Sequence, residues 1–411
     1  APYSAAVLDT IQRQLAPYQY ANTDWIKLLT GNPVLVQNHS LSVNGGAETI
    51  KYYVTGSYTD QGGMYPGNSM QRYTLQGNFD MNLSKQFTAQ LNMNYRGTTQ
   101  NIRGASAMNT AANASPLIPA YMPNGSFGAT GTGINPLAII SEQAGYQYIK
   151  ENYLTMAGKL NWQPTFLKGF SAYLNVSSNK LFTRDKNYQV PVPQYRLDPS
   201  SPTGYFLVTG SGKPTLPDQV SDGNTYTADF GLNYTLGFGK HNLEVLALYT
   251  QSESGSNNNS DMRLNLVAPG LDVLDLGSTI GEVTSGNRRL FARAGYVGRL
   301  NYDFGNRIFF ESSFRYDGSI AFAPGNRWGF FPGASAGWMI SREKFFSKLN
   351  NVVNSLKIRA SVGLTGDDSI GANSYYYTYR LANTGTVGAA NAANGYIFGT
   401  TYSLTFVPAN E

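Results

Sequence analysis

The 411 residues are 41% hydrophobic, 13% aromatic and only 13% charged, with 44 glycines and a net charge of +5. Soluble domains carry about 25% charge, yet mean hydropathy is −0.29, so Asn, Ser, Thr and Gln have replaced the missing ions. Helical membrane spans need about 18 consecutive apolar residues, and no such run exists; 29 Tyr and 21 Phe oppose disorder. The absence of cysteine excludes a disulfide framework and thiolate metal sites and fits an oxidising envelope compartment. Lys and Arg are scattered, so no electrostatic footprint for nucleic acid exists.

The start, Ala1-Pro-Tyr-Ser4, lacks an initiator Met, a charged n-region and an apolar h-region. It reads as a chain whose signal was removed or that starts internally. Val7, Ile11 and Leu15 recur at a spacing of four, which predicts a short helical lead-in over 1–30. From residue 31 to 411 the period becomes two. In Arg72–Leu83, Tyr73, Leu75, Gly77, Phe79 and Met81 alternate with Arg72, Thr74, Gln76, Asn78 and Asp80. Phe87–Arg96 repeats the pattern, as do segments opening at Leu154, Tyr226, Leu290, Ile308 and Leu356.

Many of these segments approach ten residues, the ~9–11 that a tilted strand needs to cross a bilayer. Soluble strands peak at about five or six. Aromatics (Tyr73, Phe87, Tyr95, Trp162, Tyr226, Tyr234) sit near the strand ends, where an interfacial girdle places them. Ser84–Gln86, Pro164–Gly169, Gly237–Lys240 and Gly305–Arg307 read as tight turns; Gly97–Glu151, Lys180–Gly223 and Gln251–Asn287 read as long loops. Tight turns at one end and long loops at the other are the pattern of an outer-membrane barrel. The competing reading is a soluble β-sandwich or β-helix, since half-buried antiparallel strands also alternate; it calls for shorter strands and a more charged outer face.

A set of motifs narrows the choice: Asn22-Thr-Asp-Trp25, His39-Ser-Leu-Ser-Val-Asn-Gly-Gly46, Lys51-Tyr-Tyr-Val-Thr-Gly-Ser-Tyr58, Asn135-Pro-Leu-Ala138, Arg299-Leu-Asn-Tyr-Asp303, Phe314-Arg-Tyr-Asp-Gly-Ser319, Asn326-Arg-Trp-Gly-Phe-Phe-Pro332, Ser335-Ala-Gly-Trp338, Leu356-Lys-Ile-Arg-Ala-Ser-Val-Gly363 and Thr365-Gly366. In this order and rough spacing, from about Asn22 to Glu411, the chain resembles the SusC-like TonB-dependent transporters of the Bacteroidetes outer membrane. The resemblance implies energised nutrient import, of oligosaccharides or peptides, in the cell outer membrane. It further implies a SusD-like surface lipoprotein as partner and TonB acting through a plug domain, with no cofactor and no enzymatic step. Departures from the family are the missing plug, TonB box and aromatic-terminated last strand. About 12 strands can be counted, against the ~22 of plugged transporters. The expectation is an internal, partial all-β antiparallel transmembrane barrel. Two open edges would leave backbone groups unpaired in lipid, so the isolated segment is not expected to insert as a closed barrel.

Chemical motifs are sparse. Gly333-Ala-Ser-Ala-Gly337 matches a nucleophile elbow, but both histidines, His39 and His241, lie upstream and a strand-like segment continues. Gly210-Ser-Gly-Lys213 is half a P-loop without its first Gly or its Ser/Thr. Asp367-Asp368 and Asp222-Gly-Asn224 lack the repeated ligands of a calcium loop and read as solvated turns. No local cluster of His and carboxylates suggests a metal. Trp25, Trp328 and Trp338 read as interface or packing residues rather than sugar platforms, and Arg315, Asp317 and Arg327 as a structural polar network. Tyr375, Tyr376, Tyr377 and Tyr379 form the aromatic cluster best suited to stack on a sugar ring. Lumen-facing positions are expected on the even phase of 72–82 and 88–96, with lipid on the odd phase. Other function classes are a passive porin or surface adhesin barrel, and a soluble secreted glycan-binding β protein.

Overall fold

The computed structural model describes residues 4–31, 33–129, 134–267, 270–349, 352–370, 378–382 and 401–405. Its helices are α1 (Ala5–Gln12), α2 (Trp25–Thr30), α3 (Ala107–Asn113) and α4 (Pro136–Ile140). Its strands are β1 (Val36–Gly46), β2 (Ile50–Gly62), β3 (Ser69–Asn82), β4 (Phe87–Ile102), β5 (Phe127–Gly128), β6 (Gly145–Trp162), β7 (Phe170–Gln189), β8 (Gln194–Leu197), β9 (Tyr205–Thr209), β10 (Leu216–Phe238), β11 (His241–Leu264), β12 (Ser278–Phe304), β13 (Ile308–Ser319), β14 (Trp328–Met339), β15 (Lys357–Gly363), β16 (Thr378–Ala382) and β17 (Thr401–Thr405). Twelve strands form one sheet in the order β1-β2-β3-β4-β6-β7-β10-β11-β12-β13-β14-β15, each beside the next sheet strand in the chain. This is the antiparallel meander that the alternation and the tight turns predict. A three-stranded sheet, β5-β8-β9, and the pair β16-β17 complete the strands.

Strand length differs from the expectation of about ten residues. Strands β6, β7, β10, β11 and β12 run for 18, 20, 23, 24 and 27 residues. The segments expected as loops over 97–151, 180–223 and 251–287 shrink to 103–144, 190–215 and 265–277. The cause is visible in β11, where Gln251–Ser260 carries polar side chains on both phases. Where both phases are polar, hydrophobic periodicity no longer marks a strand, although the ladder continues. The first connection, 103–144, also contains α3, β5 and α4.

The chain divides into two compact units. One comprises Ala1–Leu160, Val176–Tyr226 and Gly255–Arg288; the other comprises Asn161–Asn175, Thr227–Ser254 and Arg289–Glu411. In the first unit, β1 to β4 pair without a register break: Val43 faces Val54, Tyr58 faces Tyr73, and Leu75 faces Tyr95. The period of two holds along each strand, so Tyr73 and Leu75 share one face with Met93 and Tyr95. Tyr73 is 56% and Leu75 55% exposed, whereas Thr74 and Gln76, each next in the chain, are half-buried. A soluble sandwich would reverse this order; the apolar phase is the one left without protein cover.

The first unit's buried core lies in its helices. Trp25, Leu29, Ala107, Ala111, Leu137 and Ile140 of α2, α3 and α4 pack together, and Trp25 Nε1 donates to Ser115 O at 3.0 Å. Asp24 caps α2 by accepting from Lys27 N at 3.0 Å. Asn135 caps α4 and is fully buried. Its Oδ1 accepts from Leu137 N at 2.8 Å, and its Nδ2 donates to Ala120 O at 2.9 Å and Gly128 O at 2.8 Å. The buried amide of Gln194 accepts the Asn135 backbone N–H. The Asn135-Pro-Leu-Ala138 motif is thus a loop-organising element: an amide that satisfies three backbone groups at once, with Pro136 at the first helical position.

In the second unit, β12 to β15 again pair in unbroken register. The β12–β13 turn closes with Arg307 N donating to Phe304 O at 3.0 Å. Its central residues, Gly305 and Asn306, have φ of 56° and 54°, the positive values whose twist suits a hairpin. One face carries Tyr296, Leu300, Phe310, Phe314, Phe330 and Ile358; the other carries Arg299, Asn301, Glu311, Ser313, Ser335 and Ser361.

Candidate functional site

The polar face of the second unit is a candidate passage surface, because its side chains align in transverse rows. Asn301 faces Glu311, Glu311 faces Ser335, and Ser335 faces Ser361 across four neighbouring strands. The next row joins Asp303, Phe309, Gly337 and Arg359. A cavity of about 510 Å³ lies over these rows, lined among others by Asn301, Asp303, Glu311, Lys357 and Arg359. Lys357 Nζ sits 4.1 Å from the Phe309 ring centroid. Asp303 Oδ1 accepts from Asn242 Nδ2 and from Asn306 N, both at 3.1 Å.

Toward the other ends of the same strands a second cavity, of about 580 Å³, is lined by Arg293, Arg315, Asp317, Trp328, Phe331 and Asp368, among others. Two forked ion pairs shape it. Arg315 grips Asp317 at 2.8 and 3.0 Å, and Arg293 grips Asp368 at 2.6 and 2.5 Å. Hydrogen bonds from Arg293, then Ser319, hold the Asp368 carboxyl below its usual range. Arg327 lines the same cavity, and its Nε donates to Phe322 O at 3.2 Å within the β13–β14 connection. Of the three residues expected to form a network, Arg315 and Asp317 are thus directly paired. The Arg293–Asp368 pair escaped sequence reading because its partners stand 75 residues apart and meet only through strand register.

The remaining candidates fall as follows. Gly333–Gly337 lies mid-strand in β14, with Ser335 between Glu311 and Ser361, so the strand-to-helix turn of a nucleophile elbow is absent. Gly210-Ser-Gly-Lys213 connects β9 to β10 with no helix after it. Asp367 accepts from Ser369 N and Oγ, and Asp222 accepts from Asn257. His39 lies on β1, while His241 stacks on Phe238 with 4.8 Å between centroids and bonds Tyr302 OH through Nδ1 at 2.7 Å. Among the described residues no group of three His, Cys, Asp or Glu has metal-binding geometry.

Trp328 stacks on Tyr316 and Tyr296, at 4.9 and 6.2 Å between centroids, on the apolar face. Trp338 donates to Glu343 Oε1 at 3.2 Å. Trp25 belongs to the helical core rather than to a strand. Tyr375, Tyr376 and Tyr377 lie outside the described residues; Tyr379 is a residue of β16, whose backbone pairs with Leu404. The site is therefore a surface of fixed hydrogen-bonding and charged groups, suited to weak serial contact with a polar solute.

No family model matches the chain. The TonB-dependent receptor SusC of Bacteroides thetaiotaomicron is 27% identical over 421 residues, covering 94% of this chain and 38% of that protein. TonB-dependent receptor P3 of Formosa agariphila is 25% identical over 380 residues, covering 85% of this chain and 34% of its own length. Among solved structures, the RagAB peptide transporter superposes with a TM-score of 0.70 at 16% identity, over 94% of this chain and 42% of that one. The chain spans a little over a third of the length of these curated relatives. Their names are those of receptors, not enzymes. In sequence the chain is similar to SusC and other TonB-dependent receptors, and its twelve-stranded antiparallel sheet shares its fold with the RagAB peptide transporter.

Proposed function

We propose that this chain supplies barrel wall to a TonB-dependent importer of oligosaccharides or peptides, with residues 1–30 as a lead-in and 31–411 as barrel. The observation that carries the reading is the reversed burial along β3 and β14 in a chain similar to SusC. Tyr73 and Leu75 are more than half exposed while the polar phase beside them is sheltered, as a wall between lipid and a polar passage requires. The polar rows around Asn301, Glu311 and Ser335 guide solute without covalent chemistry. Import in this reading draws on TonB through a plug and on a SusD-like lipoprotein at the mouth, and Tyr375, Tyr376, Tyr377 and Tyr379 contact the cargo.

The test is growth and uptake in a strain lacking the gene. Cells are given single oligosaccharides or peptide mixtures as sole nutrient, with and without functional TonB. Loss of uptake on one nutrient class, restored by the gene only when TonB is present, is the expected result. Uptake independent of TonB would establish a passive porin instead, and retention of all uptake would leave the surface-adhesin reading.

A further inference from the structure

The outward phase of β4, β6 and β7 changes character beyond the lipid belt. On β6 it runs Met156, Leu154, Asn152, Lys150, Tyr148, Tyr146 toward the long-loop end; on β7 it runs Leu174, Val176, Ser178, Lys180, Phe182, Arg184, Lys186. Tyr95, on the matching phase of β4, donates to Asn152 Oδ1 at 2.9 Å, which marks the girdle. Each outward step along a strand covers about 6.6 Å. Lys150 and Lys180 therefore each stand two steps past the last aliphatic residue, Leu154 or Val176, at headgroup depth.

Above them Arg103, Arg184 and Lys186 line a cavity of about 590 Å³ with Tyr146 and Tyr148. Arg184 binds Asp218 at 3.1 and 2.6 Å, and Lys186 binds Asp272 at 2.8 Å. Arg103 reaches the exposed Glu142 only at 3.5 Å. With Asp222, on the same phase of β10 as Asp218, five cations meet four carboxylates, and the two cations without an ion pair are the exposed lysines nearest the bilayer.

We propose that this patch, with Lys150 and Lys180 at its base, docks the phosphate groups of an anionic lipid of the outer leaflet. Charge complementarity and depth argue for this occupant. A sheet face that emerges from hydrocarbon meets headgroups first, and a cation there gains from their negative surface potential. Tyr148 lines the cavity above, while the Tyr146 hydroxyl bonds Asp272 and fixes the wall behind it. The inference rests on the outer-membrane location and not on import.

The test uses the full protein, purified from outer membranes in a neutral detergent and titrated with phosphorylated lipid A, with the same lipid dephosphorylated, and with inorganic phosphate, bound lipid being counted by native mass spectrometry. The wild type is expected to prefer the phosphorylated lipid. Lys150→Gln with Lys180→Gln should weaken that binding about 25-fold, about fivefold per lysine, while Lys168→Gln in the β6–β7 turn leaves it unchanged. Equal affinity for both lipids overturns the proposal, as does equal loss in the Lys168 variant. Displacement of the lipid by millimolar inorganic phosphate would make this a free-phosphate site and also overturn it. Should the double variant fail to assemble, the wild-type preference between the two lipids still decides. Recovery of the protein in the soluble fraction would sink the location itself, a different failure from a membrane-resident protein without lipid preference.

Discussion

The helical cluster around Trp25 and the hairpins of β12 to β15 draw on the same apolar residue types and solve opposite problems. In the cluster, Trp25 and Leu29 are 3% and 0% exposed and every side-chain amide group of Asn135 is satisfied. In the hairpins, Phe330 and Ile358 are both 57% exposed, although both are large apolar side chains. The cluster gains by removing apolar surface from water. The hairpins gain nothing that way from their own protein, and their backbone pairing is completed within the sheet because lipid supplies no partners. A burial pattern therefore identifies the solvent on each side of an element, which composition alone does not.

The sharpest way to break this comparison is to treat the cluster as an ordinary water-facing core. Asn135→Ala strands Leu137 N and Gly128 O, while Ala120 O keeps the Gly128 N–H, a loss of about 2–4 kcal/mol by the cost of stranded buried groups. The connection 103–144 should then open, with protease cleavage there on intact cells while the barrel strands stay protected. Unchanged protease resistance would mean that the loop is held by something other than this network.

Next in size is a charge on the apolar phase. Leu75→Arg and Leu91→Arg should each cost about 2–4 kcal/mol at the bilayer midplane and lower the yield of assembled protein in the outer membrane. Gln76→Arg and Asn92→Arg should cost little. Equal effects on both phases would remove the assignment of lipid and lumen.

This phase was the most legible feature of the sequence. Arg72–Leu83 alternates without a fault, and β3 (Ser69–Asn82) follows it within three residues at its start and one at its end. Legibility ended where the physics that writes the pattern ends. Gln251–Ser260 is strand with polar or glycine residues on both phases, so nothing in its residue order distinguishes it from a loop. The motif Asn135-Pro-Leu-Ala138 was visible, but its reason, the three backbone groups that the amide joins, needs the fold. Trp25 read as an interface or packing residue at the end of a helical lead-in, but the partners it packs on, in α3 and α4, lie about 80 to 115 residues further along the chain and needed the fold. Cross-strand pairs such as Arg293–Asp368 depend on register summed over several hairpins, which periodicity leaves undetermined.

That last pair gives the smallest and most discriminating prediction. Asp368 follows β15 and is held below the ordinary aspartate value of 3.8, first by the Arg293 guanidinium and then by Ser319. A carboxylate with a depressed folded pKa contributes stability that is fully present above its unfolded value and is lost as pH falls through its folded value. With 56% of the Arg293 side chain exposed, the contribution is about 1 kcal/mol or less. Hydrogen exchange over 364–370 should therefore stay flat from neutral pH down to about 4, after correction for intrinsic rates, and quicken only below that. Asp368→Asn should exchange faster throughout and show no acid-dependent step. A rise already between pH 7 and 5 would assign the segment's order to a group other than this carboxylate.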